Sequence, residues 1–485
     1  MKNDRASLVT SFVVAWAGAG ASAATRITRV AAAFCALTAS AVEVKVDFAK
    51  DVRPVKPMHA VGQPPLLGLR DYQLFRYLKE AGVPYARLHD IGSSVPHCRY
   101  HMVDIPNVFP DFDADENDPA NYDFLYTDKM LAALIANGVE PWFRLGVSIE
   151  NDCKVKAYRI YPPKDYAKWA RICEHVIRHY TEGWANGFRW KITYWEIWNE
   201  PDNRKDPVEN QQWRGTFPQF CELYAVASRH LKAKFPHLKI GGYGSCGYRL
   251  LSTPEEKRDK DMYHRVQCLY DFLAFAKKEK LPLDFFSYHS YLAPSDTVSH
   301  VAIARKALDD AGYAHTELSL NEWLPVPSRK VLGTATQAAD VCAEMLGLQG
   351  TALDSAMIYD ARCGLGIFSP LFNPYDYSPH KAYYAFKAFN ELYKRGTEVE
   401  SSSCDRWVTW VAAARGEKDG AVVIAHTGDK EVPLVLELRG RNKLRPSPGS
   451  VRECRITDET RTNEIVPLPT MLPPHSFLVV TVDCD

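Results

Sequence analysis

The sequence predicts an α/β protein, a (β/α)8 TIM barrel followed by a small C-terminal antiparallel β-sandwich. Three observations lead there. Between about residues 57 and 395, short apolar runs rich in β-branched and aromatic residues alternate with longer amphipathic segments. Strict alternation implies parallel strands joined by helical crossovers, and eight such units close a barrel. No Gly-rich phosphate fingerprint follows the first run, as an open doubly wound sheet would carry. From about residue 400 onward the helical segments stop and short strands follow one another directly.

The eight barrel strands read in order as "MHAVG" (58–62), "PYARLH" (84–89), "EPWFRLG" (140–146), "ITYWEIWN" (192–199), "LKIGGYG" (238–244), "LDFFSYHSY" (283–291), "HTELSLNEW" (315–323) and "SAMIYD" (355–360). Segments such as "YDFLYTDKMLAALIANG" and "FPQFCELYAVASRHLKAKF" lie between them, with apolar residues recurring at three and four and Gly after several last turns. After "KAYYAFKAFNELYKRG" the texture becomes "DRWVTWVAAAR", "GAVVIAHTG", "VPLVLELRG", "SVRECRITD" and "SFLVVTV", strands separated by Gly, Pro and Asp. This stretch is short for a complete sandwich, so "VEVKVDF" (42–48) is expected to add a strand from the other end of the chain. The expected organisation is a targeting segment at 1–41, a sandwich strand at 42–56, the barrel at 57–395 and the sandwich at 396–485.

The targeting segment contains two signal-like units. "SLVTSFVVAWAGAGASA" and "VAAAFCALTASA" each follow basic residues and close on small ones, and the second, with Arg26 and Arg29 before it, is the better signal peptide. Export to the periplasm or the exterior is expected, from a start downstream of Met1 or with the segment kept as a membrane anchor. No later stretch is apolar enough to span a membrane. Of the twelve cysteines none has metal-type spacing; one or two disulfides are expected, with no assignable pairing. Lys plus Arg balance Asp plus Glu at 59 each, which disfavours nucleic acid as a partner. No cofactor or metal is called for. The 25 Tyr and 11 Trp allow either a large core or platforms for sugar rings.

Barrels of this type place chemistry at the C-terminal ends of the strands. The polar groups at those tips are Arg87 and His89 on the second strand, Arg144 on the third, Asn199 and Glu200 on the fourth, His289 on the sixth, Glu322 on the seventh, and Asp360 with Arg362 after the eighth. Any one of them alone reads as a structural ion pair or cap. Arg87 and His89 are two apart and share a face. Glu200 and Glu322 end the fourth and seventh strands and face each other across the mouth. Glu196 and Glu317 lie further back on the same strands and are set aside for that reason. Two carboxylates about 5 Å apart serve retaining glycoside hydrolysis, one as nucleophile and one as acid and then base; a wider gap serves inversion. The expectation is a raised pKa at Glu200 and an ionised Glu322 beside Arg87 and Tyr291.

"WEIWNEPD", with "RLH", "SYHSY" and "LNEW", resembles the clan A glycoside hydrolases, most of all family 39, which includes β-xylosidases and α-L-iduronidases. The resemblance covers about residues 57 to 395 and extends to the trailing sandwich. It implies Glu200 as general acid/base, Glu322 as nucleophile, Asn199 on the sugar 2-hydroxyl, His89 on the sugar, and His289 and Tyr291 near the nucleophile. Trp323, closing "LNEW", and Tyr359 join them as candidate substrate contacts. Xylosidase-like members have a tryptophan near the tip of the eighth strand, where this chain reads "MIYDARCG". Tyr359 would replace that platform, and Arg362 would either receive a uronate carboxylate or pair with Asp360. The implied substrate is a plant or microbial oligosaccharide or polysaccharide, xylosidase-like or uronide-containing. An endo-acting clan A glycanase and a non-catalytic carbohydrate-binding barrel are the alternatives. The long loop after the second strand (90–118) would wall a groove or cover a pocket, and its Asp-rich part reads as solvated rather than calcium-binding.

Overall fold

The computed structural model describes residues 41–68, 71–91, 102–149, 159–440 and 451–483. The expected targeting segment lies outside them up to residue 40, as does 92–101 of the long loop. The first strand, β1 (Val42–Pro54), belongs to the C-terminal sheet. The barrel follows: β2 (Ala60–Val61), β3 (Tyr85–Leu88), β4 (Glu140–Leu145), β5 (Tyr194–Ile197), β6 (Lys239–Ser245), β7 (Phe285–Ser290), β8 (Glu317–Trp323) and β9 (Ser355–Ile358). Each pairs in parallel with its successor, and β2 pairs with β9 to close the ring. All eight predicted strands are present, most trimmed by a residue or two where the ladder ends.

The barrel interior is layered. At its base Trp142 stacks on Tyr194 with ring centroids 3.7 Å apart, and Phe285, Ala60 and Met357 complete an apolar plug. Above lies a polar layer of Arg87, Glu196, Ser287 and Asn321, all buried. Strand β8 bulges between Leu320 and Trp323: Leu320 sits opposite Tyr288, but Glu322, not Asn321, sits opposite His289. One extra residue resets the alternation, so Asn321 and Glu322 both reach the interior.

Helices Leu125–Ala136, Tyr166–Thr181, Phe217–Lys234, Lys260–Glu279, Pro294–Asp310, Ala335–Gln349 and Lys381–Tyr393 form most of the outer ring. Local signals set their starts; Thr216 and Gln219 form a reciprocal capping box before Phe217. Ala335–Gln349 is buried along nearly its whole length because it is covered from both sides. A side chain at Gly347 would come within 2.5 Å of the Trp410 ring, so close packing between barrel and sheet needs a glycine there.

The remaining strands are β10 (Thr397–Ser403), β11 (Thr409–Arg415), β12 (Asp419–His426), β13 (Val432–Arg439), β14 (Val451–Thr457), β15 (Glu464–Ile465), β16 (Met471–Leu472) and β17 (Ser476–Asp483). With β1 they make one nine-stranded sheet in the order β15-β14-β17-β12-β11-β10-β1-β13-β16. It is antiparallel except where β1 meets β13, which it does in parallel while meeting β10 antiparallel. Leu434 and Leu472 near one edge share a core with Cys454 and Ile456 near the other, so the sheet curls around its own apolar face. The opposite face, through Trp410, Ala412, Val423 and Phe477, packs into the barrel core.

Cys173, Cys221, Cys246, Cys268, Cys342, Cys404 and Cys454 are free thiols, so none of the expected disulfides involves them; Cys35, Cys98, Cys153 and Cys484 lie outside the described residues. Most are buried small apolar groups. Likewise among the described residues, no helix is long and apolar enough to cross a membrane.

Candidate active site

The mouth is organised around Arg87. Its guanidinium is fully buried and engages three partners: Glu196 Oε2 at 2.6 Å, Glu322 Oε1 at 2.7 Å, and Asn199 Oδ1. Burial opposes its charge, but the two carboxylates outweigh that and hold it protonated. Glu196 is held in turn by Ser287 Oγ at 2.5 Å and Asn321 Nδ2 at 2.6 Å. The polar layer is therefore a floor on which the mouth residues stand.

Asn199 and Glu200 reach the mouth through a strained turn at the end of β5. Trp198 and Glu200 have φ of 72° and 43°, left-handed values that non-glycine residues avoid at a cost of about 1–3 kcal/mol each. Burial of the Trp198 ring, its Nε1 bond to Gln212 O at 2.9 Å, and the Glu200 N bond to Gly244 O at 2.9 Å hold the turn. Gly244 itself, at φ 62°, lies under the site: a Cβ there would come within 3.1 Å of both Arg87 and Asn199 and 3.3 Å of His289.

His289 Nδ1 lies 2.7 Å from Glu200 Oε1 and 3.4 Å from Glu322 Oε2, and the Tyr291 hydroxyl donates to Glu322 Oε2 at 2.8 Å. Donor atoms of Glu200, His289 and Glu322 all fall within 4.8 Å of one another. Among the described residues this is the one group whose ligand atoms converge as a metal ion would require. Here those atoms are already engaged by Arg87, Tyr291 and one another.

The protonation pattern departs from the sequence expectation. Burial alone would raise Glu200, but the hydrogen bond and charge of His289 bring it down to about 2. Burial raises Glu322 against the pull of His289 and Arg87. His289 is lifted above its usual value because Glu322 and Glu200 outweigh its burial. These opposed shifts favour the imidazole hydrogen-bonded to Glu200, rather than Glu200 itself, as holder of the proton. A sequence cannot show that a histidine from β7 ends 2.7 Å from a glutamate on β5.

His89 is buried 3.4 Å from Asp90 Oδ1 and 3.7 Å from Glu322 Oε1, and its burial keeps it neutral. Arg144, at the tip of β4, is tied to Asp104 at 2.7 Å. Tyr359 donates to Asp90 Oδ2 at 2.8 Å, and Phe368, from the loop after β9, packs edge-on against Tyr291 and Tyr359. Arg362 grips Asp360 Oδ2 with Nε at 2.8 Å and Nη2 at 2.6 Å, the structural pairing of the two alternatives. Trp323 is placed elsewhere. It is fully buried in the main core on the face of β8 opposite Glu322, a consequence of the bulge. The Asp-rich part of the long loop is exposed at Asp111, Asp113 and Asp115, whereas Glu116 is buried against Arg171 at 2.7 Å.

Sequence reading missed several residues. Ser287 was findable, since it shares the face of His289 two positions on. Asn321 needed the bulge. Asp202, three residues beyond Asn199 and with no periodic signal, is wholly buried and accepts from Ser245 Oγ at 2.7 Å. Phe368 comes from a loop with no periodic signal.

Residues 42–316 match the model of Glycosyl hydrolases family 39, a segment that includes Glu200, His289 and Tyr291 and stops just before β8. A β-xylosidase from Geobacillus stearothermophilus is 25% identical over 263 residues, 48% of this chain and 47% of that protein, so the match spans about half of that relative. Among solved structures, a glucosidase from Croceicoccus marinus superposes with a TM-score of 0.69 at 19% identity, over 92% of this chain and 99% of that one. A monomeric β-xylosidase from Caulobacter crescentus gives 0.64 at 17% identity, over 91% and 99%. At those identities the superpositions establish a shared fold.

Proposed function

Because this chain belongs to the glycosyl hydrolases of family 39, we propose that it hydrolyses a glycosidic bond with retention, Glu322 acting as nucleophile and Glu200 as acid/base. The observation that carries this reading is the separation of the two carboxylates. Their facing oxygens lie within 4.8 Å, close to the spacing of retaining enzymes and well short of the gap that admits a water for inversion.

In the first step Glu322 attacks the anomeric carbon as the bond to the leaving oxygen breaks. Glu200 delivers to that oxygen the proton stored between it and His289. Water then attacks the glycosyl-enzyme, Glu200 takes its proton, and Glu322 departs. Arg87 and Tyr291 hold Glu322 in place throughout. Asn199 Nδ2 is buried with no partner among the described residues, which leaves a donor for the sugar 2-hydroxyl. Retention of both carboxylates weighs against a purely binding barrel.

The substrate we propose is an uncharged β-linked sugar, in line with the β-xylosidases to which the chain is similar. The Arg362–Asp360 pair, with two guanidinium nitrogens on Oδ2, supports this over a uronide, since the guanidinium is already neutralised. Export of the enzyme is part of the proposal, on the basic, apolar and small-residue pattern of residues 26–41. Glu322→Ala is expected to abolish hydrolysis of aryl glycosides and, with azide, to form the glycosyl azide of inverted configuration; unchanged hydrolysis would eliminate the assignment. A panel of aryl xylosides, glucosides, arabinosides, galactosides and uronides names the sugar.

A further inference from the structure

Behind Glu200 the chain turns through Pro201, Asp202 and Asn203, and each arm of that turn is tied to a different element. Asn203 N bonds Glu200 O at 3.0 Å. The buried Asp202 carboxylate accepts from Ser245 Oγ at 2.7 Å and Cys246 N at 3.1 Å, at the end of β6. Arg265, from helix Lys260–Glu279, donates to Asn203 O at 2.8 Å. The turn is thereby fixed so that Asn203 Nδ2 donates to Glu200 Oε2 at 2.8 Å, while Oε1 faces His289. The same amide lies 3.5 Å from the Cys246 thiol, which closes that side of the carboxylate.

We propose that Asn203 is a positioning residue for the acid/base: it pins Glu200 Oε2 and thereby makes Oε1 the oxygen that exchanges a proton with the leaving group. The inference rests on the acid/base role of Glu200. A carboxylate free to rotate would present either oxygen to His289 and to the substrate. With Oε2 held by an amide donor that cannot accept a proton, only Oε1 is open to transfer. The ionisable groups around Glu200 are His289 from β7, Tyr291 just after it, Glu322 from β8, Arg265 from the helix behind the turn, Cys246 after β6, and Asp202 on the turn itself. Among them Asn203 is the neutral donor that adds direction without adding a proton site.

The consequence is confined to steps that need the acid. For Asn203→Ala, kcat/KM on phenyl β-xyloside, or the same series of the sugar the panel selects, should fall roughly 10- to 100-fold. On the 2,4-dinitrophenyl glycoside, whose leaving group needs no proton, it should stay within about threefold. The alkaline limb of the profile should move upward, since the lost bond favoured ionised Glu200, and Asn203→Asp should move it further by adding a like charge. Equal losses on all leaving groups with an unmoved limb would overturn the proposal. Unaltered melting temperature separates misplacement from misfolding, and Asn203→Ser gives the same leaving-group series should Asn203→Ala not fold. Glu200→Ala is the companion measurement. If it too lacks leaving-group dependence, the acid/base assignment itself falls; if it shows the dependence and Asn203→Ala does not, only the role of Asn203 falls.

Discussion

Glu317 and Glu322 stand at opposite ends of the same strand and live in different chemistry. Glu317 lies at the base of the barrel, partly exposed, bonded to Lys239 and to the Tyr194 hydroxyl at 2.9 Å. Glu322 lies at the mouth, buried among Arg87, Tyr291 and His289. The first has partners that satisfy it and face solvent; the second has buried partners that hold it in one orientation at the mouth. A (β/α)8 barrel divides its labour in this way, stability at one end and chemistry at the other.

The division is open to attack from both ends and from the middle. The largest effect is expected at the mouth, where Glu322→Gln should lower kcat roughly 10^4-fold with little change in melting temperature. Equal loss of activity and stability would mean that the residue is merely structural. Between the two ends, Glu196→Ala breaks one of the two buried ion pairs of Arg87 and leaves Ser287 and Asn321 without their acceptor, and should cost about 3–5 kcal/mol in urea unfolding. A loss below about 1 kcal/mol would show that the polar layer is not the floor of the site.

Third comes the pH profile of kcat/KM. On the proposed mechanism the acid limb should report Glu322, raised by burial, and the alkaline limb the proton shared by Glu200 and His289, the latter raised by its carboxylates. Both limbs should lie above the ordinary values of their groups. His289→Asn removes a cation that lowers Glu322, so the acid limb moves up. It also removes the proton store, so the alkaline limb falls toward the carboxylate range of Glu200. The bell should narrow from both sides; movement of one limb alone would divorce His289 from one of the two carboxylates. The smallest effect belongs to the base, where Glu317→Gln should leave kcat within about twofold and lower stability by about 0.5–1 kcal/mol, a difference that shrinks in high salt.

The same strand shows what was legible in the sequence and what was not. The alternation of apolar runs with amphipathic segments announced the barrel, and the rule that chemistry sits at strand tips separated Glu322 from Glu317 and Glu200 from Glu196 before any coordinates. Parity along β8 was misleading. A regular strand puts Glu317, Ser319, Asn321 and Trp323 on one face and Glu322 on the other. The bulge reverses that order beyond Asn321 and sends Trp323 into the core. Nothing in "LSLNEW" marks the extra residue, because a bulge is set by how two strands meet and not by either alone. Proton placement was illegible for a related reason: it depends on the 2.7 Å between side chains of β5 and β7. Asn203, by contrast, stood three residues after Glu200 in plain view, unsupported until Arg265 and Asp202 were seen to fix its turn.

Strand β1 has a consequence for the order in which the molecule can be made. Val44 pairs with Ser403 on one side and Leu436 on the other, so the first strand of the folded unit lies between two of its last. During synthesis it must wait, unpaired, while the whole barrel emerges, and loop closure over such a separation is slow. The curled sheet is therefore the final event of folding rather than an independent appendage. A chain whose residues 42–54 were clipped would present β10 and β13 as two open edges, each able to recruit a strand from a neighbouring molecule.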